Sequence, residues 1–192
     1  MNTRAAKHSK ASMEHGTSAA AVDLARYTLG GIDLDPASSS YWNRYTVKAT
    51  RFYDRRANGL VQPWSGRVFV NPPGADAKAK TDTLVRPFWE RLVEHWMRGA
   101  LVGAFWWGYS LEQLQVLQSS PWDPSRCITL ILGKREAHLV RPKEGGPPIE
   151  GESPVQANYA TLIPSRAHDV ALQQRARFVE RGSRLGRIVR PL

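Results

Sequence analysis

The sequence has little of what several large classes of protein require. Its 192 residues include a single cysteine, so no disulfide can form within the chain. No apolar run is long enough to cross a membrane. The five histidines lack the spacing of metal ligands, and no glycine-rich phosphate-binding sequence is present. We therefore expect no membrane span, no metal site and no nucleoside-triphosphate chemistry.

The single cysteine limits the chemistry further. With no secretory hydrophobic segment at the amino end, a lone thiol indicates a reducing cytoplasm. Enzymes that methylate carbon 5 of cytosine use a cysteine nucleophile that follows a proline, whereas Cys127 follows Arg126 and opens an apolar run. We predict that Cys127 is a buried core thiol.

Acidic residues are also scarce. The chain has 17 of them and 27 lysines and arginines, which gives a net charge of +10. This balance indicates a polyanionic partner, with nucleic acid as the first candidate and a solvated basic surface as the simpler alternative. The last segment is rich in arginine and holds Arg166, Arg175, Arg177, Arg181, Arg184, Arg187 and Arg190. Arginine suits phosphate contacts, so we predict that this segment binds DNA; the alternative is a solvated helix with a frayed tail.

The pattern along the chain predicts one α/β domain. Residues 1–16 show no hydrophobic period and predict a mobile tail, 17–164 form the domain, and 165–192 form a basic helix and tail. Helices are predicted after Thr17-Ser18, ending at Gly30-Gly31, and over the periodic apolar positions of 85–96. Strands are predicted at 32–35, 47–53, 68–70, 100–107 and 127–132. A closing antiparallel pair is predicted between 138–140 and 159–163, around the Gly/Pro-rich loop 145–154, and a short helix at 111–117.

The strand at 68–70 runs straight into Asn71-Pro72-Pro73-Gly74. Two prolines fix φ and donate no backbone hydrogen bond, so the turn leaves carbonyls pointing outward. At the carboxyl end of a central strand, the Asn71 amide oxygen and the Pro72 carbonyl would form a rigid pair of acceptors, which suits an amino group. The alternative is an ordinary strand that ends in a proline-stiffened loop.

Two other strand ends carry candidate residues. Asp35-Pro36 ends the strand at 32–35, where a Rossmann-like sheet presents polar groups to a nucleoside; the alternative role of Asp35 is to cap a helix over 37–43. The aromatic residues Trp106, Trp107 and Tyr109 lie at the end of the strand at 100–107. They could stack on a flipped base, and the alternative is core packing.

Several of these segments also occur together in a known family. In order along the chain they are Thr17-Ser18, 30–38, Asn58-Gly59-Leu60, 63–66 and Asn71-Pro72-Pro73. This succession resembles the phage-type DNA N-6-adenine methyltransferase family, specifically over 17–74 and more weakly to about residue 164. The resemblance implies a Rossmann-like methyltransferase fold, with a mostly parallel sheet and a terminal antiparallel hairpin. It also implies S-adenosylmethionine as cofactor, adenine in DNA as substrate, and the cytoplasm of a bacterial host if a phage or prophage encodes the chain.

The resemblance also implies roles for individual residues. Asn71, Pro72 and Pro73 would form the catalytic turn. The cofactor pocket would be lined by Thr17, Asp35, Pro36 and Asn58. Substrate binding would involve Gly74, where amino-methyltransferases with an Asn-Pro-Pro turn carry an aromatic residue. From their position at a strand end, and not from the resemblance, Trp106, Trp107 and Tyr109 are the candidates to replace that aromatic. The chain departs from the family at Ser18, which stands in place of a proline, and at the serine-rich segment 37–40.

These observations favour an enzyme that methylates the exocyclic amino nitrogen of adenine in DNA. One alternative is a non-catalytic DNA-binding protein on a methyltransferase scaffold, motivated by Gly74 and the serine-rich segment. A second is an amino-methyltransferase that acts on RNA or on a protein glutamine, because Asn-Pro-Pro serves those substrates as well. The basic charge disfavours the protein substrate.

Overall fold

The computed structural model describes residues 15–73, 84–111, 113–114, 127–151 and 157–189. The helices are α1 (Ala19–Leu29), α2 (Ser40–Trp42), α3 (Val85–Met97) and α4 (His168–Gly182), with a π-helical segment (Asn43–Val47) that continues α2 and a 3-10 turn (Gly59–Val61). The strands are β1 (Leu34–Asp35), β2 (Arg51–Phe52), β3 (Gly66–Val70), β4 (Leu101–Gly108), β5 (Ile128–Leu132), β6 (Leu139–Val140), β7 (Ile149–Glu150), β8 (Tyr159–Ile163) and β9 (Gly186–Val189).

Seven of the strands form one mixed sheet in the order β2-β1-β3-β4-β8-β5-β9. The first four are mutually parallel, whereas β8 is antiparallel to both of its neighbours and β9 is antiparallel to β5. The remaining two strands, β6 and β7, form a separate antiparallel hairpin. The predicted α/β class is confirmed, and the sheet is parallel in its first half only.

Helices cover both faces of the sheet, so its central strands are buried on each side. Phe69 and Phe105 point to one face, where they pack with residues of α1 and with Phe178 of α4. Trp106 points to the other face and meets Trp89 of α3. Successive side chains of a strand alternate between faces, and each face here has its own hydrophobic core.

Helices α1 and α3 lie where the sequence predicts them. The Ser18 hydroxyl accepts from the Ala21 amide at 3.3 Å and caps α1, which ends at Gly30 with a φ of 76°. Helices commonly end at a residue with positive φ, and glycine adopts that conformation without steric cost. Helix α3 buries the predicted apolar side against the sheet, with Trp89 and Leu92 fully enclosed.

The predicted strand at 47–53 is wrong over most of its length. Only Arg51–Phe52 is a strand, and the preceding residues belong to the π-helical segment and a turn. The Asn43 side chain closes that turn, since its Nδ2 donates to the Ala49 carbonyl at 3.1 Å and its Oδ1 accepts from the Ala49 amide at 2.8 Å. A side chain that replaces backbone partners in this way leaves no periodic pattern in the sequence.

The predicted closing pair is also wrong. Strand β6 pairs with β7, which lies within the predicted loop 145–154, and β8 instead lies between β4 and β5. All five residues of β8 are buried. A strand whose side chains are buried on both faces belongs in the middle of a covered sheet. The short β6 and β7 are half-buried or exposed and suit a surface hairpin.

The basic C-terminal segment packs on the domain. Helix α4 buries Phe178 and Gln174, and the Gln174 Nε2 donates to the Val102 carbonyl at 3.1 Å. Strand β9 then adds to the sheet beside β5. Of the other predicted segments, the loop 75–81, most of the helix 111–117 and residues 1–14 of the tail lie outside the described residues.

Candidate functional site

The chain changes direction across the sheet between β1 and β3. From β1 it passes to β2 on one side and returns to β3 on the other, with all three strands parallel. Open α/β sheets bind ligands outside the carboxyl ends of their strands at such a switch point. Asp35 is the last residue of β1, and Asn71 follows the last residue of β3. The two predicted site residues therefore flank the switch point.

Asn71 is half-buried, and its amide has a defined partner. The Asn71 Nδ2 donates to the Thr17 Oγ1 at 2.8 Å. Thr17 immediately precedes Ser18, the capping residue of α1, so the start of α1 lies at the same edge of the sheet as the end of β3. The structure thus brings together two predicted site residues that are 54 positions apart in the chain.

The rest of the Asn-Pro-Pro turn extends outward from β3. Pro72 is buried and Pro73 is exposed, so the turn passes from the interior to the surface within two residues. Gly74, the fourth residue of the predicted turn, lies outside the described residues. The acceptor pair expected from the sequence, the Asn71 Oδ1 and the Pro72 carbonyl, is carried by the two residues nearest the sheet.

Asp35 is almost completely enclosed, with 3% of its surface exposed. Its Oδ1 accepts from the Ala37 amide at 3.1 Å. Burial raises the pKa of Asp35 to about 7, and the Ala37 amide and the nearby Ser38 side chain oppose this shift only in part. Helix α2 is capped by the Ser39 hydroxyl instead, so the alternative role of Asp35 as its cap is wrong.

The turn at Asn58-Gly59 packs directly on the end of β1. A Cβ added at Gly59 would lie 2.0 Å from the Pro36 carbonyl oxygen, so only glycine permits this approach. Asn58 is exposed and has a φ of 55°, and its Oδ1 accepts from the Leu60 amide at 3.2 Å. The Asn58 side chain therefore caps the 3-10 turn, and its expected contact with a cofactor adenine stays a prediction.

The aromatic residues at the end of β4 have different environments. Trp106 is fully buried and Trp107 is 4% exposed, each in the core on its own face of the sheet. Neither ring offers a face to a base in this structure, so the core-packing alternative holds for both. Tyr109 lies beyond the end of β4 and is half-buried, and burial raises the pKa of its phenol. Of the three predicted stacking residues, Tyr109 remains the candidate.

Two of the C-terminal arginines lie far from Asn71. Arg166 donates to the Met97 carbonyl and lies over the Trp96 ring, close to where β4 begins. The Arg177 guanidinium lies beside Gly30, just before β1. Both positions are at the amino ends of parallel strands, opposite the switch point. Exposed cations follow the carboxyl ends of β2 and β5, namely Arg55, Arg56, Lys134 and Arg135.

The remaining expectations concern metal, membrane and thiol. Within the described residues, no group of three or more metal-ligating side chains occurs. The same part of the chain has no helix that combines the length and apolarity of a membrane span. Cys127 is buried at the start of β5, as predicted.

Comparison of the chain with models of known protein families, with curated proteins and with solved structures found no match. The functional argument therefore depends on the residues at the switch point.

Proposed function

We propose that this protein is a methyltransferase that uses S-adenosylmethionine to methylate the exocyclic amino nitrogen of adenine in DNA. One observation carries the proposal: an Asn-Pro-Pro turn ends β3 at the switch point, the Asn71 amide is held by Thr17, and the neighbouring strand β1 ends on the buried Asp35. The net charge of +10 and the resemblance described above support DNA as the substrate.

Asn71 and Pro72 would bind and orient the amino group. Its two N–H groups donate to the Asn71 Oδ1 and the Pro72 carbonyl, which directs the nitrogen lone pair outward from the turn. These acceptors also stabilise the positive charge that develops on the nitrogen as it gains a fourth bond. The nitrogen releases its proton once it carries the methyl group, so the turn needs no strong base beside it.

The chemistry of Asp35 fits a cofactor with cationic and hydroxyl groups. A fully buried carboxylate is costly unless hydrogen-bond donors surround it, and the Ala37 amide and the nearby Ser38 side chain compensate for its burial only in part. An ammonium group or a ribose hydroxyl would supply further donors and favour the charged form. S-adenosylmethionine carries both groups, and when bound it supplies an electrophilic methyl group. Pro36 follows Asp35 at the end of β1 and packs against Gly59.

The arrangement of the sheet gives further support. Parallel strands with a switch point between β1 and β3, and helices on both faces, are the features by which Rossmann-like sheets bind nucleosides. That this α/β sheet is a Rossmann-like methyltransferase fold is part of the proposal.

The test is to incubate the protein with methyl-labelled S-adenosylmethionine and unmodified DNA, and to identify the labelled nucleoside. We expect N-6-methyladenine from the parent and a rate at least about a hundredfold lower from Asn71→Ala, since loss of one preorganised polar contact has about this effect. Asn43→Ala is the matched control. It also removes a half-buried, hydrogen-bonded asparagine, but one that lies away from the switch point. Near-normal turnover by folded Asn71→Ala would refute the mechanism.

The substrates in the assay separate the alternatives. Label in RNA but not in DNA would indicate an RNA amino-methyltransferase. DNA binding with no measurable affinity for S-adenosylmethionine would favour the non-catalytic DNA-binding protein. Calorimetric titration with S-adenosylmethionine therefore accompanies the activity assay.

A further inference from the structure

The contact between Thr17 and Asn71 joins two residues to which the family resemblance gives separate roles. Thr17 was expected to line the cofactor pocket, and Asn71 to bind the reacting amino group. The structure instead directs the Thr17 hydroxyl to the Asn71 Nδ2 at 2.8 Å. Thr17 is 6% exposed and Asn71 is half-buried, so this hydrogen bond is partly shielded from water.

The backbone on both sides of Thr17 is fixed. Gly16 donates to the Leu139 carbonyl at 2.8 Å and accepts from the Leu139 amide at 2.9 Å, which ties it to the β6–β7 hairpin. Ser18 begins α1 as its cap. Because its two neighbours are held by different elements, the Thr17 backbone has little freedom to move away from Asn71.

In this structure the donor end of the Asn71 amide makes the hydrogen bond, and the Thr17 hydroxyl is the acceptor. An asparagine amide has an acceptor end and a donor end, and rotation by half a turn about its last side-chain bond exchanges them. With the Nδ2 held by Thr17, the Oδ1 is the end left to receive a donor. A flipped amide would direct N–H groups at an amino group, which also donates, and the acceptor pair with Pro72 would be lost.

We infer that Thr17 is a positioning residue that sets the orientation of the Asn71 amide for the amino group of the substrate. This inference rests on the proposed function and adds to it the source of the orientation at the catalytic turn. It also moves Thr17 from cofactor binding to support of the acceptor.

The test compares Thr17→Val, which keeps the shape and loses the hydroxyl, with Thr17→Ser, which keeps the hydroxyl. For Thr17→Val we expect kcat to fall by about tenfold or more, because the Asn71 amide loses the hydrogen bond that holds its orientation. The KM for DNA and the Kd for S-adenosylmethionine should stay within about twofold of the parent, because a contact that acts in the transition state affects kcat and not the binding of either substrate. Thr17→Ser should retain most of the parental kcat.

A double-mutant cycle distinguishes positioning from packing. If Thr17 acts through Asn71, Thr17→Val should have little additional effect in the Asn71→Ala background, both on the residual rate and on the free energy of unfolding. Additive effects would overturn the inference. If Thr17→Val does not fold, Thr17→Ala takes its place in the cycle.

The other outcomes have separate meanings. A Thr17→Val variant with parental kcat overturns the inference while the proposed function stands. A weaker Kd for S-adenosylmethionine at unchanged kcat would return Thr17 to the cofactor pocket, and equal losses in Thr17→Ser and Thr17→Val would assign it a packing role. No methyl transfer by the parent would overturn the proposed function first, and the inference with it.

Discussion

Trp106 donates its indole N–H to the phenolic oxygen of Tyr159 at 3.1 Å, and both side chains are fully buried. The Trp106 ring also packs edge-on against Trp89, with 5.4 Å between the ring centres. A ring held by a neighbouring strand and by α3 cannot turn outward without breaking the core. The aromatic residue that would hold a flipped base must therefore come from elsewhere at this edge of the sheet.

We predict that Tyr109→Ala raises the KM for DNA by about tenfold or more in a folded protein, since base stacking on an aromatic ring contributes roughly 1–3 kcal/mol. Tyr109→Phe keeps the ring and should behave like the parent. Steady-state kinetics with varied DNA measures the effect. A parental KM in folded Tyr109→Ala would exclude Tyr109 as the stacking residue.

Trp106→Ala should affect the stability of the protein and not its binding of DNA. Removal of this fully buried ring should lower the free energy of unfolding by about 3–5 kcal/mol and leave the Tyr159 hydroxyl without its donor. Urea denaturation measures the loss. A variant as stable as the parent, with weakened DNA binding, would show that Trp106 meets the substrate after all.

Asp35 should make stability depend on pH. Its pKa is raised from 3.8 to about 7 in the folded protein, so between these values the folded state holds a proton that the unfolded state releases. The resulting stabilisation is present at acid pH and is lost as the pH rises through about 7. Relative to Asp35→Asn, the parent should lose about 2–3 kcal/mol of unfolding free energy between pH 5 and pH 8, at roughly 1.4 kcal/mol per pKa unit.

The measurement is urea denaturation of both proteins at the two pH values. Asp23→Asn, which removes an exposed carboxylate from α1, controls for the change in net charge. If the stability of the parent and that of Asp35→Asn change in parallel with pH, the Asp35 carboxyl has an ordinary pKa in the folded protein.

The surface that makes the proposed contact with DNA can be located from the salt dependence of binding. Removal of residues 166–192 would delete α4 and β9 and expose the core around Phe178, so point substitutions are needed. One triple variant replaces Arg56, Lys134 and Arg135, which follow carboxyl strand ends, with alanine. A matched variant replaces three exposed C-terminal arginines, Arg175, Arg184 and Arg187. Each variant removes three positive charges.

We expect the first variant to reduce the slope of log affinity against log salt by about 2–3, because each lost phosphate contact contributes about 0.9. The C-terminal variant should reduce it less, since Arg166 and Arg177 place α4 toward the opposite edge. Fluorescence anisotropy over a range of salt concentrations gives both slopes. A larger change in the C-terminal variant would instead support the phosphate contacts that the arginine-rich sequence predicts.

The elements with a strong local pattern could be predicted from the sequence. Helix α1 has a cap, a helical period and a terminal glycine, and each of these depends only on nearby residues. The positions of Asp35 and Asn71 at strand ends could be predicted for the same reason, because each follows a short apolar run.

Features that depend on the assembled sheet could not be predicted. The hydrogen bond between Thr17 and Asn71 joins distant segments, and neither segment contains a sign of the other. A strand buried on both faces shows no alternation, so the sequence could not decide whether Trp106 and Trp107 were core residues. The pairing of β5 with β9 at the edge of the sheet likewise joins segments that are far apart in the chain.

The insertion of β8 between β4 and β5 sets an order for folding during synthesis. The parallel strands β1 to β4 can pair as they leave the ribosome, because β2, β3 and β4 each have a partner that is made earlier. Strand β5 is made before both of its partners, β8 and β9. Its apolar residues and both of its edges therefore stay uncovered until those strands have been synthesised. Such an edge is a template for pairing with another molecule. Until Ile163 emerges, both edges of β5 therefore lack their partners and can pair with another molecule.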